Sequence, residues 1–139
     1  MAKKSTYLRE QRDAALFDAY IKAVRDIGFS TQEMAYDYVR THEAPRFFVE
    51  PKFCQEIISK IERGLPTGLR NPQSIRKYDE LYRRFKQMRK ENPDMPMRDI
   101  CEAIVDGKAP EFYLNRRITQ WIIGREKRMK WERMEKRRG

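Results

Sequence analysis

Apolar residues recur along most of the chain at steps of three and four, and no stretch alternates with a period of two, so the pattern predicts helices and no sheet. Leu16, Tyr20, Ala23 and Ile27, with Phe17, Ile21 and Val24 beside them, predict a first helix over about 7–27, closed by Gly28 in a left-handed cap. Residues 1–6 read as a loose basic start. Ser30-Thr31-Gln32-Glu33 reads as a capping box, with Ser30 on the Glu33 amide. It opens a short helix whose stripe is Met34, Ala35, Tyr38 and Val39, and Pro45 ends that helix at or before Ala44. Glu50-Pro51 starts a third helix, with proline at the first position, where no amide bond is lost. Its inward residues are expected to be Phe53, Cys54, Ile57, Ile58 and Ile61. A glycine-containing stretch over 64–68 then opens a linker to about Pro72. Three more helices follow in the same plan. One covers about 74–91 with Tyr78, Leu81, Tyr82, Phe85 and Met88. One covers about 96–105 with Ile100, Cys101 and Ile104. One begins near Asn115, turns Ile118, Ile122 and Ile123 inward, and runs past Arg128. Beyond Arg128 the stripe thins to Met129, Trp131 and Met134, as in a solvated helical tail.

The same phrase occurs twice. Ala44-Pro45-Arg46-Phe47-Phe48-Val49 returns 65 residues later as Ala109-Pro110-Glu111-Phe112-Tyr113-Leu114. Without a gap, that offset also pairs Leu16 with Leu81, Tyr20 with Phe85, Val39 with Ile104, Ile57 with Ile122 and Ile58 with Ile123. Two copies of one structural unit account for a frame held this long. The predicted fold is therefore all-α: two tandem three-helix repeats, over 7–64 and 73–128, with a basic C-terminal helical extension over 129–139. A repeat of about 60 residues is near the lower limit for burying a core of its own, so either each repeat is marginal or the two share a face. Phe47, Phe48, Phe112 and Tyr113 lie in a crossing too short and too apolar for a solvated loop, and are expected to plug the gap between helices.

Charge adds a direction. The net charge is +10, unevenly spread. Residues 1–70 carry 12 Lys/Arg against 10 Asp/Glu, residues 71–139 carry 19 against 11, and the segment from Phe112 onward carries 10 against 3. A local excess of this kind implies a polyanionic partner. On the outer face of the first repeat's third helix stand Lys52, Gln55, Glu56, Ser59, Lys60 and Arg63. On the second repeat's stand Arg116, Arg117, Gln120, Trp121, Arg125, Lys127 and Arg128. Trp121 either covers the edge of the core or offers a stacking surface; Trp131, outside the repeat, is expected to meet a partner.

The helix order (long, short, crossing, third helix) resembles the helix-turn-helix module of small tandem proteins of bacteria and their phages or mobile elements. The resemblance implies that the third helices face the DNA major groove, with Arg on guanine, Gln on adenine and the flanking cations on phosphates. It implies a nucleic-acid-binding protein, for duplex DNA, acting through Arg116, Arg117, Gln120, Trp121, Arg125, Lys127 and Arg128, with Lys52, Gln55, Lys60 and Arg63 in support; RNA binding through the same basic helix is a third reading. The nearly neutral first repeat favours a second reading: a structural or adaptor protein of a phage or mobile-element complex. Repeat 1 or Trp131 would then meet a protein partner or a second copy.

No reaction is written in the residues. Cys54 and Cys101 occupy different repeat positions and show no metal-ligand spacing with the single histidine, His42; they read as buried thiols in a reducing cytosol. There is no glycine-rich phosphate loop and no gathering of acid, base and nucleophile. The expectation is no enzyme, no cofactor, no metal and no small-molecule substrate. No apolar run approaches membrane length, so no membrane partner is expected, and the expected location is the cytoplasm, the nucleoid or a virion.

Overall fold

A computed structural model describes residues 2–138, with side chains from Thr6 onward. The described residues form six helices and no strand: α1 (Ala2–Asp26), α2 (Gln32–Thr41), α3 (Pro51–Glu62), α4 (Pro72–Glu91), α5 (Met97–Asp106) and α6 (Arg116–Arg138). The fold is all-α.

Four local expectations need correcting. The first helix begins at Ala2, not near Tyr7, because nothing in Ala2-Lys3-Lys4-Ser5-Thr6 breaks a helix and Ala and Lys favour one; Met1 lies outside the described residues. The cap of α2 is Thr31, not Ser30: its backbone is extended, and its hydroxyl accepts the Met34 amide at 3.2 Å. Phe53 and Ile118, expected inward, are 47% and 42% exposed. They occupy the same repeat position, just before the buried triplets Cys54, Ile57, Ile58 and Thr119, Ile122, Ile123. At 100° per residue this places them roughly a quarter turn from the centre of the stripe. In α2, likewise, Met34 is exposed, and the buried tyrosine is Tyr36 rather than Tyr38.

The helices group into two compact units in an order the repeat does not spell out. The first unit holds the start of α1 through Leu8 together with Pro45–Ala109, hence α3, α4 and α5. The second holds Arg9–Ala44, hence most of α1 and all of α2, together with α6. In the first unit α3 packs on α5 and α4; in the second α6 packs on α2. The first unit thus gathers three helices that are consecutive in the chain, whereas the second joins α1 and α2 to the last helix, α6.

The crossing residues make matching bonds in the two units. The Phe47 amide donates to the Val105 carbonyl at 3.1 Å, and the Phe112 amide donates to the Arg40 carbonyl at 3.1 Å. Both pairs are 65 residues apart in register. Next in the chain, Phe48 and Tyr113 turn through the left-handed region at φ 57° and 58°, the only non-glycine residues with positive φ among those described. Phe47 and Phe112 are buried, as expected of plugs. The first unit's core also holds Tyr78, Leu81, Phe85, Ile100 and Ile104; the second's holds Leu16, Phe17, Tyr20, Ala35 and Val39. Cys54 and Cys101 are both free and buried in the first unit. A hydrogen bond to Cys101, reinforced by burial, pushes the Cys54 thiol up.

Candidate nucleic-acid interface

The start of α6 is fixed by Asn115. Its side-chain oxygen accepts the Ile118 amide at 2.8 Å, and the buried Thr119 hydroxyl donates back to the Asn115 carbonyl at 2.8 Å. Thr119, Ile122 and Ile123 bury the inner face. The helical turn then carries Arg117, Trp121, Gly124 and Arg128 to the opposite side, where Arg117, Gln120, Trp121 and Arg128 are exposed. Trp121 is 58% exposed, too open to be a cover for the core. The Arg125 guanidinium lies 5.5 Å from its ring centre, a cation–π contact that presents ring and charge together.

Two residues of the same helix are engaged elsewhere in the unit. The Arg116 guanidinium forks onto Asp37 of α2, with Nε 2.9 Å from Oδ1 and its terminal nitrogen on Oδ2. Arg40 also donates to Asp37, at 2.8 Å, and reaches the Leu114 carbonyl at 3.3 Å. The Arg116 hydrogen bond, aided by Arg40, holds the Asp37 carboxyl at about 2, well below its ordinary 3.8. Lys127 donates to the Tyr20 hydroxyl at 3.1 Å and lies 4.8 Å from that ring centre, tying α6 to α1. Arg116 and Lys127 thus position α6, while Arg117, Gln120, Trp121, Arg125 and Arg128 make its outward surface.

In the first unit the structure gathers the other four residues. Lys52, Gln55 and Lys60 of α3 and Arg63 at its C-terminal cap, with Glu56, Ser59 and Met97, line an open cleft of about 380 Å³. Three cations and one carboxylate give it a net positive lining.

Two features escaped the sequence reading. Asp37 lies 79 residues from Arg116, beyond any local spacing rule. Gly124 is the other: it stands inside α6 with an ordinary φ and nothing within 4 Å of where a Cβ would be. Neither a turn nor internal packing requires a glycine there, although glycine costs a helix interior about 1 kcal/mol relative to alanine. Its effect is a bare stretch of helix backbone between Trp121 and Arg128. The readable signal was a glycine inside the helical pattern, where the first repeat has Ser59.

The surface can donate charged, forked hydrogen bonds to phosphate oxygens or to a guanine edge, and can stack a flat ring. Among the described residues no helix is long and apolar enough to cross a membrane. Compared with protein-family models, with curated proteins and with solved structures, the chain matches none.

Proposed function

We propose that this protein binds nucleic acid, duplex DNA above all, through the outer face of α6. The observation that carries the reading is the coincidence of charge and exposure. The segment from Phe112 holds 10 Lys/Arg against 3 Asp/Glu, and its helix turns Arg117, Gln120, Trp121 and Arg128 to solvent. In this reading the chain is a tandem pair of helix-turn-helix-like units in which α6 is the reading helix. The basic extension after Arg128 adds phosphate contacts, and the α3 cleft is a secondary anion site. The helix seated against α2 in the second unit is α6 rather than the next helix in sequence, so the reading pair is built from distant parts of the chain. A DNA ligand would place the protein in the cytoplasm, nucleoid or a virion.

The test is binding to random-sequence duplex DNA over a range of salt. Each neutralised phosphate contributes about 0.9 to the slope of log affinity against log salt, so a slope of several units is expected. No binding at low salt would overturn the proposal and favour the adaptor reading, which draws support from Trp131, 60% exposed, with Met129 and Met134 close to it in sequence and also exposed.

A further inference from the structure

The 65-residue frame that aligns the cores also aligns the outer faces of α3 and α6. Lys52 stands where Arg117 does, Gln55 where Gln120 does, Lys60 where Arg125 does and Arg63 where Arg128 does. These side chains are exposed or half-exposed, and none serves a core. Both copies thus keep one set, three cations and a glutamine, suited to phosphates and base edges. Two positions inside the set are exchanged: Glu56 becomes Trp121, and Ser59 becomes Gly124.

The two exchanges complement each other. At 100° per residue, position 124 falls about 60° to one side of position 121, and position 125 about 40° to the other. On its side, the Arg125 guanidinium lies over the Trp121 ring, 5.5 Å from the ring centre, and occupies one of the two ring faces. On the other side there is open space. Apart from its chain neighbours, no side chain comes within 4 Å of where a Cβ on Gly124 would stand, so neither the Trp121 ring nor Arg128 covers the spot. The result is an exposed indole backed by a cation, with a step of bare helix beside it.

An intact duplex has little use for such a plane. Its bases already stack on one another and offer the groove only their edges. A base without a pairing partner offers a free face. We infer that Trp121 and Gly124 form a slot for one unpaired base, the indole stacking on the base while the missing side chain at Gly124 leaves room for its edge. The inference rests on the nucleic-acid reading given above and narrows it: α6 prefers a duplex interrupted by an unpaired nucleotide. Stacking accepts any base, so the preference is for the unpaired state rather than for a sequence.

The experiment measures binding of the full chain, by fluorescence anisotropy, to three labelled duplexes of one sequence. One is fully paired, one carries a single unpaired adenine, and one carries an abasic site in place of that adenine. The abasic site keeps the flexibility of a bulge and lacks the ring. The adenine bulge is expected to bind about tenfold more tightly than the abasic one. Trp121→Ala is expected to bring that ratio to about one, whereas Trp131→Ala, about 15 Å further along the helix, should keep it at about tenfold. Equal binding of the two bulges by the parent, a ratio that Trp121→Ala does not lower, or a ratio lost equally in Trp131→Ala would each overturn the inference, while binding to the fully paired duplex would keep the wider reading intact. Failure to bind any of the three at low salt would overturn both.

Discussion

Phe112 donates its backbone amide to the carbonyl of Arg40, 72 positions earlier in the chain, and so ties the entry to α6 to the end of α2. The side chain of Phe112 is 6% exposed, and that of its counterpart Phe47 is 4% exposed. Truncating either removes a buried ring and leaves a cavity in the core. Phe112→Ala and Phe47→Ala are each expected to cost about 3–5 kcal/mol in urea unfolding. A variant with an unchanged midpoint would show that its ring is not a core plug.

Phe48 and Tyr113 pass through left-handed backbone that a bulky side chain rarely adopts. At the half-buried Phe48, Phe48→Asn should therefore cost less than Phe48→Val, although asparagine gives up more apolar area. Thermal melts of the two variants check the order, and the reverse order would mean that packing outweighs backbone strain at this turn.

The Asp37 fork gives a pH dependence of known sign. Its folded pKa of about 2 is below the ordinary 3.8, so the bond stabilises fully above about pH 4 and the contribution is lost as pH falls towards 2. Glu80, held at about 2 chiefly by Arg83, acts in the same sense in the first unit. The informative quantity is therefore the difference between the parent and Asp37→Asn. That difference should be largest at neutral pH and vanish near pH 2 in denaturant titrations; a constant gap would exclude the charged pair as its source.

Charge reversal separates the two helices. Arg117, Arg125 and Arg128 changed to Glu should abolish duplex binding and flatten the salt dependence, since each lost phosphate contact removes about 0.9 from the slope. Lys52, Lys60 and Arg63 changed to Glu should weaken binding less, because Glu56 already offsets that cleft. Arg116 is left out of the first set because its reversal would place a carboxylate against Asp37. Equal losses in the two triple variants, both checked for helix content, would mean that the two faces contribute alike.

Gly124→Ala should raise stability by about 1 kcal/mol, since the added methyl meets nothing within 4 Å and glycine is a poor helix former. If DNA closes on bare backbone at that point, the same variant should bind less tightly while melting higher. A melting temperature that falls would reveal packing at Gly124 that the open surroundings do not suggest.

The helices, their stripes and the 65-residue frame were legible because a period of three to four residues is a local property. The pairing of α6 with α2, and of α3 with α4 and α5, was not. Cys54, Ile57 and Ile58 present the same stripe as Thr119, Ile122 and Ile123, so the apolar pattern fits either helix to either seat. What distinguishes the seats lies far along the chain, as Asp37 does from Arg116 and Tyr20 from Lys127. At the candidate site, spacing alone placed Arg117, Gln120 and Arg128 on an exposed face. It could not show that Arg116 and Lys127, on the same helix, are occupied by α2 and α1. Trp121 was open to two readings, and its exposure tells against the cover for the core.

A ribosome delivers α3 long before α6. When α2 leaves the exit tunnel, the first helix of matching stripe to follow it is the one that the finished molecule seats on α5 and α4. Residues up to Ala109 complete the first unit while translation is still under way; the second waits for a segment synthesised after every other helix. Nascent α1 and α2 therefore spend the intervening time with a vacant apolar seat, and any early docking of α3 there must be undone. Released chains cut short after Ala109 would keep the first unit and expose that seat, a form that chaperones and proteases recognise by its uncovered surface.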